Sequence, residues 1–143
     1  MANGTVDPAA LKAECVADST ALGLAAPFAA GSLNSVAALL NATKAAIRVD
    51  RDYVASYEVF EAIVSSEWTA LSAANKQLLQ TLLACNPVYA KGPNTRAAFL
   101  AIFAAGTATR TNLAALQTRD GSRAEQLFGR LVTVADVEAA KAV

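Results

Sequence analysis

Between Asn75 and Cys85 the leucines Leu78, Leu79, Leu82 and Leu83 recur at three- and four-residue spacing. That spacing lays them along one broad face of an α-helix. Such a face has to be buried against other elements, so a fold that contains it has a helical core. Comparable spacing flanks the run. Tyr53, Tyr57, Phe60, Ile63 and Val64 predict a helix over 57–65. Ala98, Phe99, Ile102 and Phe103 predict one over 96–105, and Leu113 with Leu116 one over 108–118.

Start and stop signals punctuate these stripes. Asp7-Pro8 reads as an N-cap followed by proline at the first helical position, opening a helix over 8–18. Ser72 precedes the leucine run (helix over 73–85), which Asn86-Pro87 stops. Ser32 or Asn34 opens a helix carrying Val36, Leu39 and Leu40, after a stretch from Gly23 to Gly31 that reads as loop. Ser122/Glu125 and Thr133/Asp136 are spaced as capping boxes, the second opening a helix over 134–141, and Gly129 suits a left-handed C-terminus. The predicted fold is all-α: one domain over 1–143, a compact bundle of about six to eight helices. The extended pieces at 47–49 and 131–133 are candidates for a minimal two-stranded β ribbon. The expected core comprises Phe60, Ile63, Leu79, Leu82, Phe99, Ile102, Phe103, Leu113 and Leu116.

A chain of 143 residues is long enough to bury one sizeable core without covalent staples. Its hydrophobic share, 55%, exceeds the usual ~45–50%, and much of the excess is alanine, which favours helix and lets helices approach closely. Cys15 and Cys85 lie in apolar, helix-like runs and read as buried small hydrophobes. The opening stretch, 1–14, has no apolar signal core, and no apolar run approaches the ~20 residues that span a bilayer.

Charge balances at twelve basic and twelve acidic residues, so bulk attraction to nucleic acid or to an anionic membrane is not expected. Its placement is uneven. Asp50, Asp52, Glu58, Glu61 and Glu67 fall in one segment with a single base, Arg51. From Trp68 to Arg119 there is no acid, while Lys76, Lys91, Arg96, Arg110 and Arg119 occur, and Arg123 and Arg130 follow. One reading makes these solvated helix faces. The other makes them a subunit interface, in which Arg96, Arg110, Arg119, Arg123 and Arg130 meet Asp50, Asp52, Glu58 and Glu61 of a neighbouring copy. On that reading, reversing Arg119 and Arg123 to glutamate blocks assembly and leaves the monomer folded.

Chemistry is hard to find. With no histidine, Ser-His-Asp and Cys-His catalysis and the commonest zinc ligand are absent together. Glu58 and Glu61 share a helical face, but no E-x-x-H partner completes a carboxylate metal site. Gly92-Pro93-Asn94-Thr95 precedes a helix without the phosphate-loop pattern. Trp68 reads as a core anchor. No catalytic residue, cofactor, metal or small-molecule substrate is expected.

The stretch from Thr107 to Gly129 (TATRTNLAALQTRDGSRAEQLFG), followed by Val132-Thr-Val-Ala-Asp-Val137, resembles small all-helical proteins encoded among the structural genes of tailed bacteriophages. Leu11-Lys-Ala-Glu14, Ala38-Leu-Leu-Asn41 and Glu67-Trp-Thr-Ala-Leu-Ser72 fit the same pattern in order. The resemblance implies a non-enzymatic virion subunit at the head–tail connector, or neck, or in the tail. It would be made in the bacterial host cytoplasm and would contact copies of itself and other virion proteins, with no specific nucleic acid or membrane as partner. The alternatives are a cytosolic helical interaction module or assembly factor not retained in the particle, and a ligand-binding or hydrolytic helical protein with an unusual site.

Overall fold

Asp7 and Pro8 open the first helix as predicted: the Asp7 carboxylate accepts the Ala9 N–H at 3.3 Å, and α1 runs Pro8–Ala17 until Asp18 turns left-handed. The computed structural model describes residues 4–143, so the first three residues of the opening stretch lie outside it. Among the described residues the fold is mostly helical, with ten helices rather than six to eight: one, Ala25–Ala30, lies in a stretch expected to be loop, and the span predicted over 57–65 ends at Ala62 with another short helix, Ser65–Thr69, after it. The chain divides into two compact units, residues 1–49 with 120–143, and residues 50–119.

The first unit holds α1, α2 (Ala25–Ala30), α3 (Leu33–Asn41), α9 (Arg123–Phe128) and α10 (Val134–Lys141). The stretch expected to be loop contains α2. Pro27 sits at its third position, where a missing N–H costs no helical bond, and Gly31 ends it in the left-handed region. Leu11, Cys15, Leu24, Val36, Leu40 and Val137 form a core that the expected set missed entirely. Ala37, Ala124 and Ala140 are buried among them, where small side chains let helices close up. Both capping boxes form, at Ser122/Glu125 and Thr133/Asp136.

The ribbon prediction is half right. β1 (Lys44–Asp50) contains the first extended piece, but its partner is β4 (Thr118–Gly121), which had been expected to end a helix. Residues 131–133 form no strand. Instead Asn41 holds the Val132 backbone through both amide atoms, at 2.8 and 2.9 Å, and Thr133 caps α10.

The second unit holds β2 (Tyr53–Val54), α4 (Ser56–Ala62), α5 (Ser65–Thr69), α6 (Ala73–Ala84), β3 (Val88–Tyr89), α7 (Pro93–Ile102) and α8 (Ala108–Leu116). β2 and β3 pair antiparallel, with Tyr53 opposite Tyr89 and Val54 opposite Val88. The pleat sends both valines into the core and both tyrosines outward. Leu79, Phe99, Ile102, Phe103 and Leu113 are core residues, as expected. Leu82, Leu116 and Ile63 pack only at the core's edge, and Leu78 and Phe60 are exposed. Cys15 is buried, which pushes its thiol up to about 11, whereas Cys85 at the end of α6 is exposed.

Candidate protein contact surface

The helix predicted over 57–65 breaks at Ile63 and Val64, both extended, and this break decides what α4 displays. Four groups of bonds fix the break and the helix before it. The Val64 N–H donates to Thr109 Oγ1 at 2.9 Å instead of continuing the helix, and Asn112 donates to the Ala62 carbonyl at 3.0 Å. At the other end the Ser56 hydroxyl donates to the Leu83 carbonyl at 2.7 Å, and the Ser56 N–H to Asn86 at 3.1 Å. Glu58 accepts the Ala55 N–H at 2.9 Å and receives both Arg51 nitrogens at 3.0 and 3.1 Å, and these bonds hold its carboxyl below the usual range. Glu67 caps α8 from outside that helix, accepting the Ala108 and Thr109 N–H groups at 3.0 and 2.7 Å. Hydrogen bonding to Thr109 and Ala108 correspondingly lowers its pKa.

So held, α4 packs against α6 and α8 with Val59 inward, 2% exposed. Tyr57 and Phe60, one turn apart, point outward and are 72% and 64% exposed. Clefts open on either side. One, of about 260 Å³, is lined by Phe60, Glu61, Ile63, Ser65 and Trp68. The other, of about 430 Å³, is lined by Tyr57, Glu58, Glu61, Ala62, Asn112, Ala115 and Leu116. Glu61 borders both. On β2 and β3 the exposed Tyr53 and Tyr89 rings lie 5.4 Å apart, tilted by 36°. A helix of this kind ordinarily shows water its polar side, so two aromatic rings on the outer face of α4 are a departure that makes this face the candidate surface.

The charged residues singled out in the sequence are mostly engaged inside the chain. Arg96 lies 3.7 Å from Asp50 and donates to the Ala90 carbonyl, and Lys91 pairs with Asp52 at 3.0 Å. Arg123 grips Glu14, and Arg130 binds Asp136 and the Gly4 carbonyl. Arg119 is engaged as well, and Arg48 pairs with Asp120. Of the nine candidates, only the side chains of Glu61 and Arg110 have no hydrogen bond or ion pair among the described residues. Among the described residues Asp50 and Arg96 are the one acid–arginine pair of that set that meets within the chain.

Sequence spacing could not find the aromatic face, because the same spacing predicts that Tyr57 and Phe60 point inward. The signal available was the β-branched pair Ile63-Val64 followed by Ser65, a place for a helix to stop and restart. Among the described residues no group of His, Cys, Asp or Glu is arranged to hold a metal ion, and no helix is long and apolar enough to cross a membrane. No family model, curated protein or solved structure matches the chain.

Proposed function

We propose that this chain is a non-enzymatic structural subunit of a tailed-phage particle, placed in the neck or tail and working through protein–protein contacts. The observation that carries the contact reading is the outward pair Tyr57 and Phe60 on α4, with clefts on both sides. Aromatic side chains bring large contact area at low entropic cost and are enriched where proteins meet. The phage setting rests on the resemblance of the segments 107–129 and 132–137. No cofactor, small-molecule substrate, nucleic acid or membrane is part of the proposal. The charged residues serve chiefly to hold the subunit's own elements together.

The test is to purify particles from the host that makes this protein and quantify it there, then to repeat with Tyr57→Ser/Phe60→Ser. The expected result is a fixed copy number in wild-type particles and loss of incorporation for the variant, with its melting temperature unchanged. Presence during assembly but absence from finished particles would make the chain an assembly factor instead. Normal incorporation of the variant would remove α4 as the contact surface.

A further inference from the structure

We infer that the cleft at Glu61 receives Arg110 of a second copy of this chain. The inference rests on the contact reading above and names the partner of the same surface. Glu61 is exposed on α4, as are Tyr57 and Phe60, and it lines the clefts on both sides of the helix. In the smaller cleft it is the one charged side chain, facing a space it shares with the rings of Phe60 and Trp68. In the larger cleft the other carboxylate, Glu58, is already held by Arg51 and the Ala55 N–H. A carboxylate beside aromatic faces suits a guanidinium, which is planar, weakly hydrated and attracted to ring faces as well as to negative charge. The stem of such a side chain lies along the apolar walls.

Lys44, Lys76 and Arg110 are the basic side chains left without a partner among the described residues, and of these only Arg110 is a guanidinium. The other candidate arginines and carboxylates are engaged within the chain, leaving Glu61 on α4 and Arg110 on α8 without side-chain partners among the described residues. These two have opposite sign, and Arg110 is half-buried at the first turn of its helix. One copy therefore carries both halves of a charge-matched contact. A contact of this kind is satisfied between identical subunits, either reciprocally in a pair or in succession around a ring.

Charge swapping tests this on the full chain. Mass is followed by light scattering and sedimentation across a concentration series, with circular dichroism confirming the fold of each variant. Wild type is expected to self-associate. Glu61→Arg and Arg110→Glu, which each place like charges together, are expected to weaken association at least about tenfold. The doubly swapped chain is expected to recover most of that loss, and Lys76→Glu, which changes a basic residue outside the clefts, to leave association unchanged. A wild-type chain that stays monomeric throughout overturns the inference, as does a double swap that associates no better than the single ones. Should those results come with particles that still exclude Tyr57→Ser/Phe60→Ser, the contact reading stands and only the choice of partner falls.

Discussion

Glu14 on α1 and Arg123 on α9, 109 positions apart, meet in a two-pronged ion pair with N–O distances of 2.8 and 3.0 Å. Their side chains are only 8% and 15% exposed, and Ser19 donates to both carboxylate oxygens while accepting from the guanidinium. Arg123→Ala leaves a buried carboxylate without its counter-charge and should destabilise the first unit by about 2–4 kcal/mol. Denaturant unfolding followed by circular dichroism measures this, and a loss below about 0.5 kcal/mol, the level of an ordinary surface change, would show the pair to be idle. Reversal of Arg119 and Arg123 is consequently a poor probe of assembly, since it disturbs the fold before any interface.

The same pair sets an acid limit. Hydrogen bonding to Arg123 holds the Glu14 carboxyl below its ordinary value near 4.5, against the opposing effect of burial. A carboxyl whose pKa is lower in the folded state contributes stability above its unfolded value and loses it as pH falls through the folded one. The first unit should keep its stability from neutrality down to that ordinary value and lose it progressively below. Glu14→Gln should flatten this dependence, and an acid-induced loss of equal size in both proteins would count against Glu14 as its source.

Leu79 and Leu82 separate what spacing reveals from what it hides. Both lie on the predicted apolar face of α6, yet Leu79 is fully buried and Leu82 sits at the core's edge. Leu79→Ala should cost about 2–5 kcal/mol, as large-to-small changes at packed sites do, and Leu82→Ala clearly less. Equal losses would place both side chains equally deep.

Helix positions and caps were readable because they depend on neighbours in sequence: Asp7-Pro8, Ser72, Ser122/Glu125 and Thr133/Asp136 all act where expected. Burial depends on which elements meet, and periodicity is silent on that. Val59 therefore took the inward place expected of Phe60, and of the core around Leu11, Leu24 and Leu40 only the burial of Cys15 and the helix carrying Val36 and Leu40 were read in advance. Charge segregation along the chain does not say which charges meet: within the chain Arg123 reaches back to Glu14 and Arg96 to Asp50. The exposed rings of Tyr57 and Phe60 became visible only with the break at Ile63-Val64.

Gly121 tests close packing between β1 and β4. A Cβ there would lie 2.7 Å from both Val49 methyls, and a β-branched side chain has little freedom to swing aside. Gly121→Ala should cost about 1–3 kcal/mol through overpacking. Val49→Ala in the same chain should recover part of that loss. Additive losses in the double variant would show that the two residues do not touch.

The first unit is assembled from two stretches of chain, 1–49 and 120–143, while the second is one continuous stretch, 50–119. During synthesis the second unit has all its residues in hand before the first does, because α9 and α10, which supply Ala124, Val137 and Ala140 to the other core, are made after residues 50–119. Helices α1 to α3 therefore wait with the core around Leu11, Leu24 and Leu40 incomplete until α9 and α10 follow. A ribosome-held intermediate of this protein would show an ordered middle and an unfinished beginning, inverting the usual order in which the N-terminal part folds first.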